Sequence, residues 1–336
     1  MKGIINRKYV PVVATFVVFL LIFGIGGSLF KGLFSLRVFL NLFTDNAFLG
    51  LCAVGETFVI ISGGIDLSVG AMVAFSATLV ASMTELGHVS PALVLPLVLL
   101  IGVAFGFLQG CVIEFFKAPP FIVTLAGMFL ARGLAFVISL ESIPVSDPFM
   151  NQLSTLGIVL PGGMQLTLIA ILFILTVIAA VIVAGFTRFG RYVYAIGGSE
   201  PSALLMGLPV GRTKLMIYSL SGFLSSLAGV VFTVYTLSGN AAQAMGLELD
   251  SIASVVIGGT LLTGGFGFVA GTLVGVLIQG LIQTIISFQG TLDVSWTKIF
   301  VGSLLLVFIL LQKIISQGAN REHRTRLTQV SARKES

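Results

Sequence analysis

An all-α polytopic membrane protein with about ten transmembrane helices is the fold class this sequence predicts, and three observations carry it. Of 336 residues only 9% are charged, against about 25% in an ordinary soluble domain. That leaves too little polar surface to cover a water-facing globule. Hydrophobic residues make up 57% of the chain, and its mean hydropathy is +1.11. The apolar runs are long and continuous, as from Leu166 to Phe186, where a barrel strand would show about ten residues of alternating character. Unpaired backbone groups in hydrocarbon cost several kcal/mol each, so runs of this kind cross as helices.

A spanning helix needs roughly 20 mostly apolar residues, and such stretches can be laid end to end. The opening MKGIINRKY and its apolar continuation to Phe23 have the outline of a secretory signal. The stretch is long and no Ala-x-Ala site follows, so it reads as a retained first span over 10–30. The second to fifth spans fall at 38–62, 68–84, 92–116 and 121–140. The sixth to tenth fall at 165–186, 214–237, 249–264, 267–288 and 297–313. Cytoplasmic loops carry an excess of Lys and Arg. Placing Lys2, Arg7, Lys8, Lys117, Arg188, Arg191, Arg212 and Lys214 inside, together with the tail from Lys313 to Lys334, fits an even number of crossings. Both termini are then cytoplasmic, and only Lys31, Arg37, Arg132 and Lys298 are exceptions. The connection 141–164 holds Glu141 and Asp147 without Lys or Arg, so it is expected outside. The chain thus divides into one transmembrane domain over 1–313, with a central loop at 187–213, and a basic tail at 314–336. The net charge of +5 reads as topology plus attraction to anionic lipid, with no nucleic-acid partner.

Two glycine-rich breaks interrupt the spans near the centre, Ser62 to Gly70 and Gly258 to Gly267. Glycine frees the backbone to turn and weakens a helix interior. Short, glycine-interrupted segments in both halves are the best sequence pointer to a transport pathway. Asp66 is the sharpest residue there, because a carboxylate at membrane depth faces a partner or a wet cavity. It either N-caps a helix beginning at Leu67 or contacts solute, and the two roles are compatible. Asp45, Asn46 and Glu56 on the preceding span, with Ser62, Ser68, Thr260 and Thr263, complete the candidate pathway set. Thr260 and Thr263 have an equal alternative in bonding carbonyls of their own helix. Gly271 and Gly275, four apart, suit close helix packing. Arg132, a cation inside the fifth span, either snorkels or pairs with a carboxylate such as Glu141; pairing is favoured. Cys52 and Cys111 sit in apolar runs as small hydrophobes, His88 and His323 are lone, and no metal-ligand spacing occurs.

The central loop contains the grammar of a short helix. Ser199 is a good N-cap, Glu200 complements the N-terminal dipole, and Pro201 is tolerated in the first turn. Ala203 to Met206 favour helix, and Gly207 suits the C-terminal turn. So short a helix is unstable alone. With Leu204, Leu205 and Met206 on its surface, it docks either in a partner groove or in the membrane interface. No G-x4-G-K-[ST] loop, G-x-S-x-G elbow or H-E-x-x-H motif is present, so no catalytic residues are assigned and any ATP chemistry belongs to another subunit.

Gly63-Gly64-Ile65-Asp66-Leu67-Ser68-Val69-Gly70, the loop from Arg188 to Gly207 and Ser254 to Thr260 together resemble the permease subunits of bacterial ribose/xylose/galactose-type ABC importers. The resemblance implies a permease dimer, two cytoplasmic ABC ATPases that bind ATP and Mg2+, and a periplasmic sugar-binding protein, all at a bacterial inner membrane. It also implies that Gly197, Gly198, Ser199, Glu200, Ala203, Leu204, Leu205 and Gly207 form the ATPase-coupling segment. Ser199 stands where that family commonly has Asn, which keeps the cap chemistry. Leu42 to Gly50, Glu141 to Pro144, Gly290 to Leu292 and Trp296 to Lys298 are similar to a permease of the galactofuranose-type importers, which implies a heterodimer of two different permeases. The implied mechanism is alternating access. An ion-coupled sugar transporter with Asp66 as relay is the alternative.

Overall fold

The computed structural model describes residues 10–293 and 295–310. The basic residues expected at 2–8 and 313–334, and the tail 314–336, lie outside these. The chain is mostly helical. α1 (Val10–Leu29) is followed by α2 (Leu36–Asp45) and α3 (Ala47–Ile61), bent 60° to each other. α4 (Val69–Ala81) continues into a π-helical turn, Ser82–Leu86. α5 (Pro91–Phe115) and α6 (Pro120–Ile138) complete the first half. β1 (Ile143–Pro144), α7 (Pro148–Thr155), β2 (Gly157–Leu160) and β3 (Met164–Thr167) then precede α8 (Leu168–Phe186). α9 (Arg188–Gly198) and α10 (Glu200–Leu205) form the central loop. α11 (Val210–Thr236), β4 (Ser238–Gly239), α12 (Leu247–Ile257), α13 (Val269–Gln289) and α14 (Ser295–Leu310) close the fold.

Among the described residues, seven helices are long and apolar enough to cross a membrane, or eight if α2 and α3 are one span. This is a multi-pass membrane protein. The eighth expected span, 249–264, is shorter than its hydropathy suggests. α12 has 11 residues, about 16 Å at 1.5 Å per residue, roughly half the hydrocarbon thickness. The second expected span is not straight. Asn46 adopts a non-helical φ of −108° and turns its amide back onto the Leu42 carbonyl at 2.9 Å, ending α2 before α3 begins. The connection 141–164 also departs from the all-α expectation. Its strand β1 pairs antiparallel with β4, while β2 and β3 form a hairpin. Residues 165–167, expected at the start of the sixth span, therefore lie in strand β3.

The core is built around α3 and α4. Every residue of α3 but Phe48 is buried, and every residue of α4 but Phe75 and Leu79. An apolar helix buried on all sides belongs at the centre of a bundle. α5, α6, α8, α11 and α13 surround this pair, with leucines and phenylalanines of α1, α5, α6 and α8 exposed outward, where lipid covers them. Gly271 and Gly275 do pack closely: a Cβ on either would overlap the backbone of Gly258 or Ser254. Cys52 is buried, Cys111 half-buried, and neither is in a disulfide.

Candidate functional site

The first break is a buried polar junction. Gly63, at φ +87°, turns the chain out of α3, and α4 does not begin until Val69. Such a turn strands backbone donors inside apolar surroundings, and they need partners. Asp66, 2% exposed, supplies them. Its Oδ1 accepts from the Ser68 amide at 2.9 Å and the Ser68 hydroxyl at 2.6 Å, and its Oδ2 accepts from the Ser221 hydroxyl of α11 at 2.7 Å. Its own amide donates to Glu56 Oε1 at 3.1 Å. The Ser68 hydroxyl also lies 3.3 Å from Gln109 Oε1 on α5, and the Thr124 hydroxyl of α6 reaches the Ile65 carbonyl at 3.2 Å. Asp66 therefore braces the turn before α4 rather than capping a helix at Leu67 and ties α3 and α11 to it, while Ser68 reaches α5. Glu56 keeps one buried oxygen, Oε2, without a partner.

The second break meets the first. The Ile61 carbonyl, at the end of α3, accepts from the Gly265 amide at 2.8 Å. Gly197 of α9 presses on that same carbonyl, where a Cβ would overlap Ile61 O and come within 2.5 Å of Gly265 N. Gly264 packs on Gly63, and Gly265 on Gly198, each so closely that a Cβ would stand 2.9 Å from the partner's backbone. The Tyr194 hydroxyl, its pKa raised by burial and so retained as a donor, binds the Gly267 carbonyl at 2.8 Å. One knot of backbone thus joins both breaks to α9.

α10 leads away from this knot. Ser199 caps it, accepting from the Ser202 amide at 3.3 Å, and Gly207 follows at φ +73°. Ala203, expected with the docking residues, instead faces inward and is fully buried with Ile196 and Val210. Leu204, Leu205 and Met206 project outward, Leu205 at 90% exposure. Glu200 pairs with Lys214 of α11 at 2.6 Å, Lys214 lies 3.5 Å from Glu114 of α5, and Glu114 pairs with Lys117 at 2.7 Å. A polar cavity of about 290 Å³ between these charges reaches Ser62, Gly63 and Gly64. The Ser62 hydroxyl itself donates to the Val59 carbonyl at 2.7 Å.

Asp45 and Asn46 belong to the opposite end of the bundle. They line a separate cleft of about 370 Å³ with Asn41, Tyr235, Gln283 and Ser287, and Asp45 accepts from the Tyr235 hydroxyl at 3.1 Å. Thr260 is buried and Thr263 exposed. Neither sits in a helix, because α12 has ended at Ile257. Arg132 does not pair with Glu141. It donates to the carbonyls of Ala241, Gln243 and Ala244, at 2.8, 2.6 and 3.5 Å, and holds the turn between β4 and α12. Gln109, Ser221 and Tyr235 are not singled out by the sequence, and Lys214 is marked there only as a cytoplasmic basic residue. Gln109 is a polar residue in an apolar run of α5, which was the available signal, whereas Ser221 is one of four serines in α11 and does not stand out.

The family model described as branched-chain amino acid transport system / permease component matches residues 38–310. The inner membrane ABC transporter permease protein YjfF of Escherichia coli is 50% identical over 91% of this chain and 93% of its own length. The fructose import permease protein FruG of Bifidobacterium longum is 40% identical over 93% of each chain. The ribose import permease protein RbsC of Haemophilus influenzae is 34% identical over 88% of this chain and 90% of its own. No solved structure matches the chain.

Proposed function

This chain belongs to the branched-chain amino acid transport system / permease component family, and from that premise we propose that it is the membrane-spanning permease of an ATP-driven sugar importer of the bacterial inner membrane. The sugar class rests on the relatives, a fructose and a ribose import permease among them. Galactofuranose, or a galactose-type sugar, is the substrate this reading favours, on the resemblance of residues 42–50, 141–144, 290–292 and 296–298 to that subfamily. A second, different permease completes the membrane part. A cytoplasmic ABC ATPase pair binds ATP and Mg2+, and a periplasmic protein delivers the sugar. The basic residues place α9, α10 and the start of α11 in the cytoplasm and the two small sheets outside. On this orientation ten segments cross, with α12 and the second break sharing one crossing and α14 making the last.

The observation that carries the reading is α10. Its apolar face, Leu204 to Met206, is exposed at the cytoplasmic end, while its base is fixed to α9, whose glycines touch both helix breaks. ATP-driven closure of a partner holding Leu205 displaces α10. The Gly197–Ile61–Gly265 knot passes that displacement to α3 and to the segment before α13, and the charge chain from Glu200 to Glu114 passes it to α5. The cleft of Asp45 and Asn46 is then the outer mouth, where hydroxyl, amide and carboxylate groups meet a sugar's hydroxyls. Asp66 spends both oxygens on internal donors, which favours a brace over an ion relay.

The test is uptake into proteoliposomes holding both permeases, the ATPase and the binding protein, with labelled galactofuranose, ribose and leucine offered separately. Sugar uptake that requires ATP and the ATPase is expected. Uptake of leucine alone, or sugar uptake that persists without the ATPase, overturns the reading.

A further inference from the structure

A groove of about 830 Å³ opens between α5, α8 and α11, away from the helix breaks. Its floor is Val54 and Phe58 of the buried α3, and its walls are apolar but for Thr176 and Ser219, with Phe107, Ala179 and Phe223 among them. Thr176, the polar residue on α8, has its hydroxyl bound to the Leu172 carbonyl at 2.8 Å. From Leu224 to Arg212 along α11 the groove runs about 18 Å, rather more than one leaflet of a hydrocarbon core some 30 Å thick. Arg212 lines its end, is exposed, and makes no ion pair or hydrogen bond among the described residues. Arg188 and Arg191 are exposed on the first turn of α9, beside Phe189, which also lines the groove. No carboxylate lines it.

An apolar slot one leaflet deep with an unneutralised guanidinium at its end has the chemistry of a phospholipid: a tail for the slot and a phosphate for the cation. Arg presents a planar fork of donors that fits a phosphate. Basic pockets between spanning helices on the cytoplasmic side suit anionic head groups. We infer that this groove holds one anionic phospholipid of the cytoplasmic leaflet, its acyl tail against Val54 and Phe58 and its phosphate at Arg212. The leaflet follows from the orientation proposed above; the contact chemistry does not depend on import.

The test is native mass spectrometry of the full chain in mild detergent, titrated with dioleoylphosphatidylglycerol or dioleoylphosphatidylcholine, without sugar or ATP. The wild type is expected to retain one phosphatidylglycerol in preference to phosphatidylcholine. Arg212→Gln should lower the affinity for phosphatidylglycerol about fivefold, the effect of one arginine at an anionic surface, and leave phosphatidylcholine unchanged. Ala179→Trp, which fills the slot from an exposed position, should abolish retention of both, with thermal unfolding in lipid-free detergent confirming the fold. Equal retention of the two lipids by the wild type, an unchanged preference in Arg212→Gln, or full retention by folded Ala179→Trp overturns the inference. Arg212 is solvent-exposed, so the first variant decides the matter even if the second does not fold. Because no transport is measured, failure of the import reading is read separately.

Discussion

Gly197→Ala and Gly198→Ala differ by one position and should differ sharply in outcome. At Gly197 the new Cβ overlaps the Ile61 carbonyl and stands 2.5 Å from Gly265 N, both backbone atoms that no rotamer change can move aside. Overpacking of this kind costs about 1–3 kcal/mol. Forcing Gly265 N away from Ile61 O leaves a buried pair unmade, about 1–3 kcal/mol more. The helical preference of Ala over Gly returns about 1 kcal/mol. The net is a destabilisation of about 1–5 kcal/mol, concentrated at the contact between α9 and the two breaks. At Gly198 a Cβ meets nothing within 4 Å, so Ala there should be neutral or stabilise by a few tenths of a kcal/mol. Thermal unfolding in detergent reads the stability difference. Proteoliposome assays of ATP hydrolysed per sugar imported read the coupling, which should worsen for Gly197→Ala and stay at the wild-type ratio for Gly198→Ala. Indistinguishable variants in both assays refute the idea that this knot transmits motion.

Asp66→Ala leaves the Ser68 amide and the Ser221 hydroxyl buried without an acceptor and should cost about 2 kcal/mol or more, while Asp66→Asn, which keeps one carbonyl oxygen, should cost less; unfolding temperatures that fall equally contradict the brace. Lys214→Met should raise ATP hydrolysis per sugar imported, and Lys214→Arg should restore most of it, because the cation joins Glu200 to Glu114; a methionine variant with wild-type coupling removes the charge chain from the account. Arg132→Ala should speed hydrogen exchange at residues 240–246 by tenfold or more, the equivalent of about 1.4 kcal/mol of lost anchoring, with Arg132→Lys intermediate; unchanged exchange refutes the anchor.

Hydropathy made the membrane class and most spans legible, because an apolar run of about 20 residues has one stable answer in lipid. Hydropathy could not tell a full crossing from a half: α12 is as apolar as its neighbours, and its end at Ile257 is set by Gly258 packing on α13 and by Gly259 turning the chain at φ +91°. The 60° bend at Asn46 was hidden because Asn looks like one more polar residue until its amide is seen to bond Leu42 O. The cap at Ser199 was readable since capping is local, and so was the position of both breaks. That the breaks and Gly197 share one carbonyl was not, because the contact joins residues more than sixty apart. Arg132 was misread for a related reason: a search for carboxylate partners overlooks three carbonyls of a distant turn.

The most direct test of the account is whether α10 is the place where the ATPase acts. Leu205 is 90% exposed on a helix whose own packing rests on Ala203, so Leu205→Asp should leave membrane insertion and unfolding temperature unchanged. The same substitution should abolish co-purification of the ATPase in mild detergent and ATP-driven sugar uptake with it. Retained co-purification and uptake in that variant would contradict the claim that this chain is a permease driven through α10.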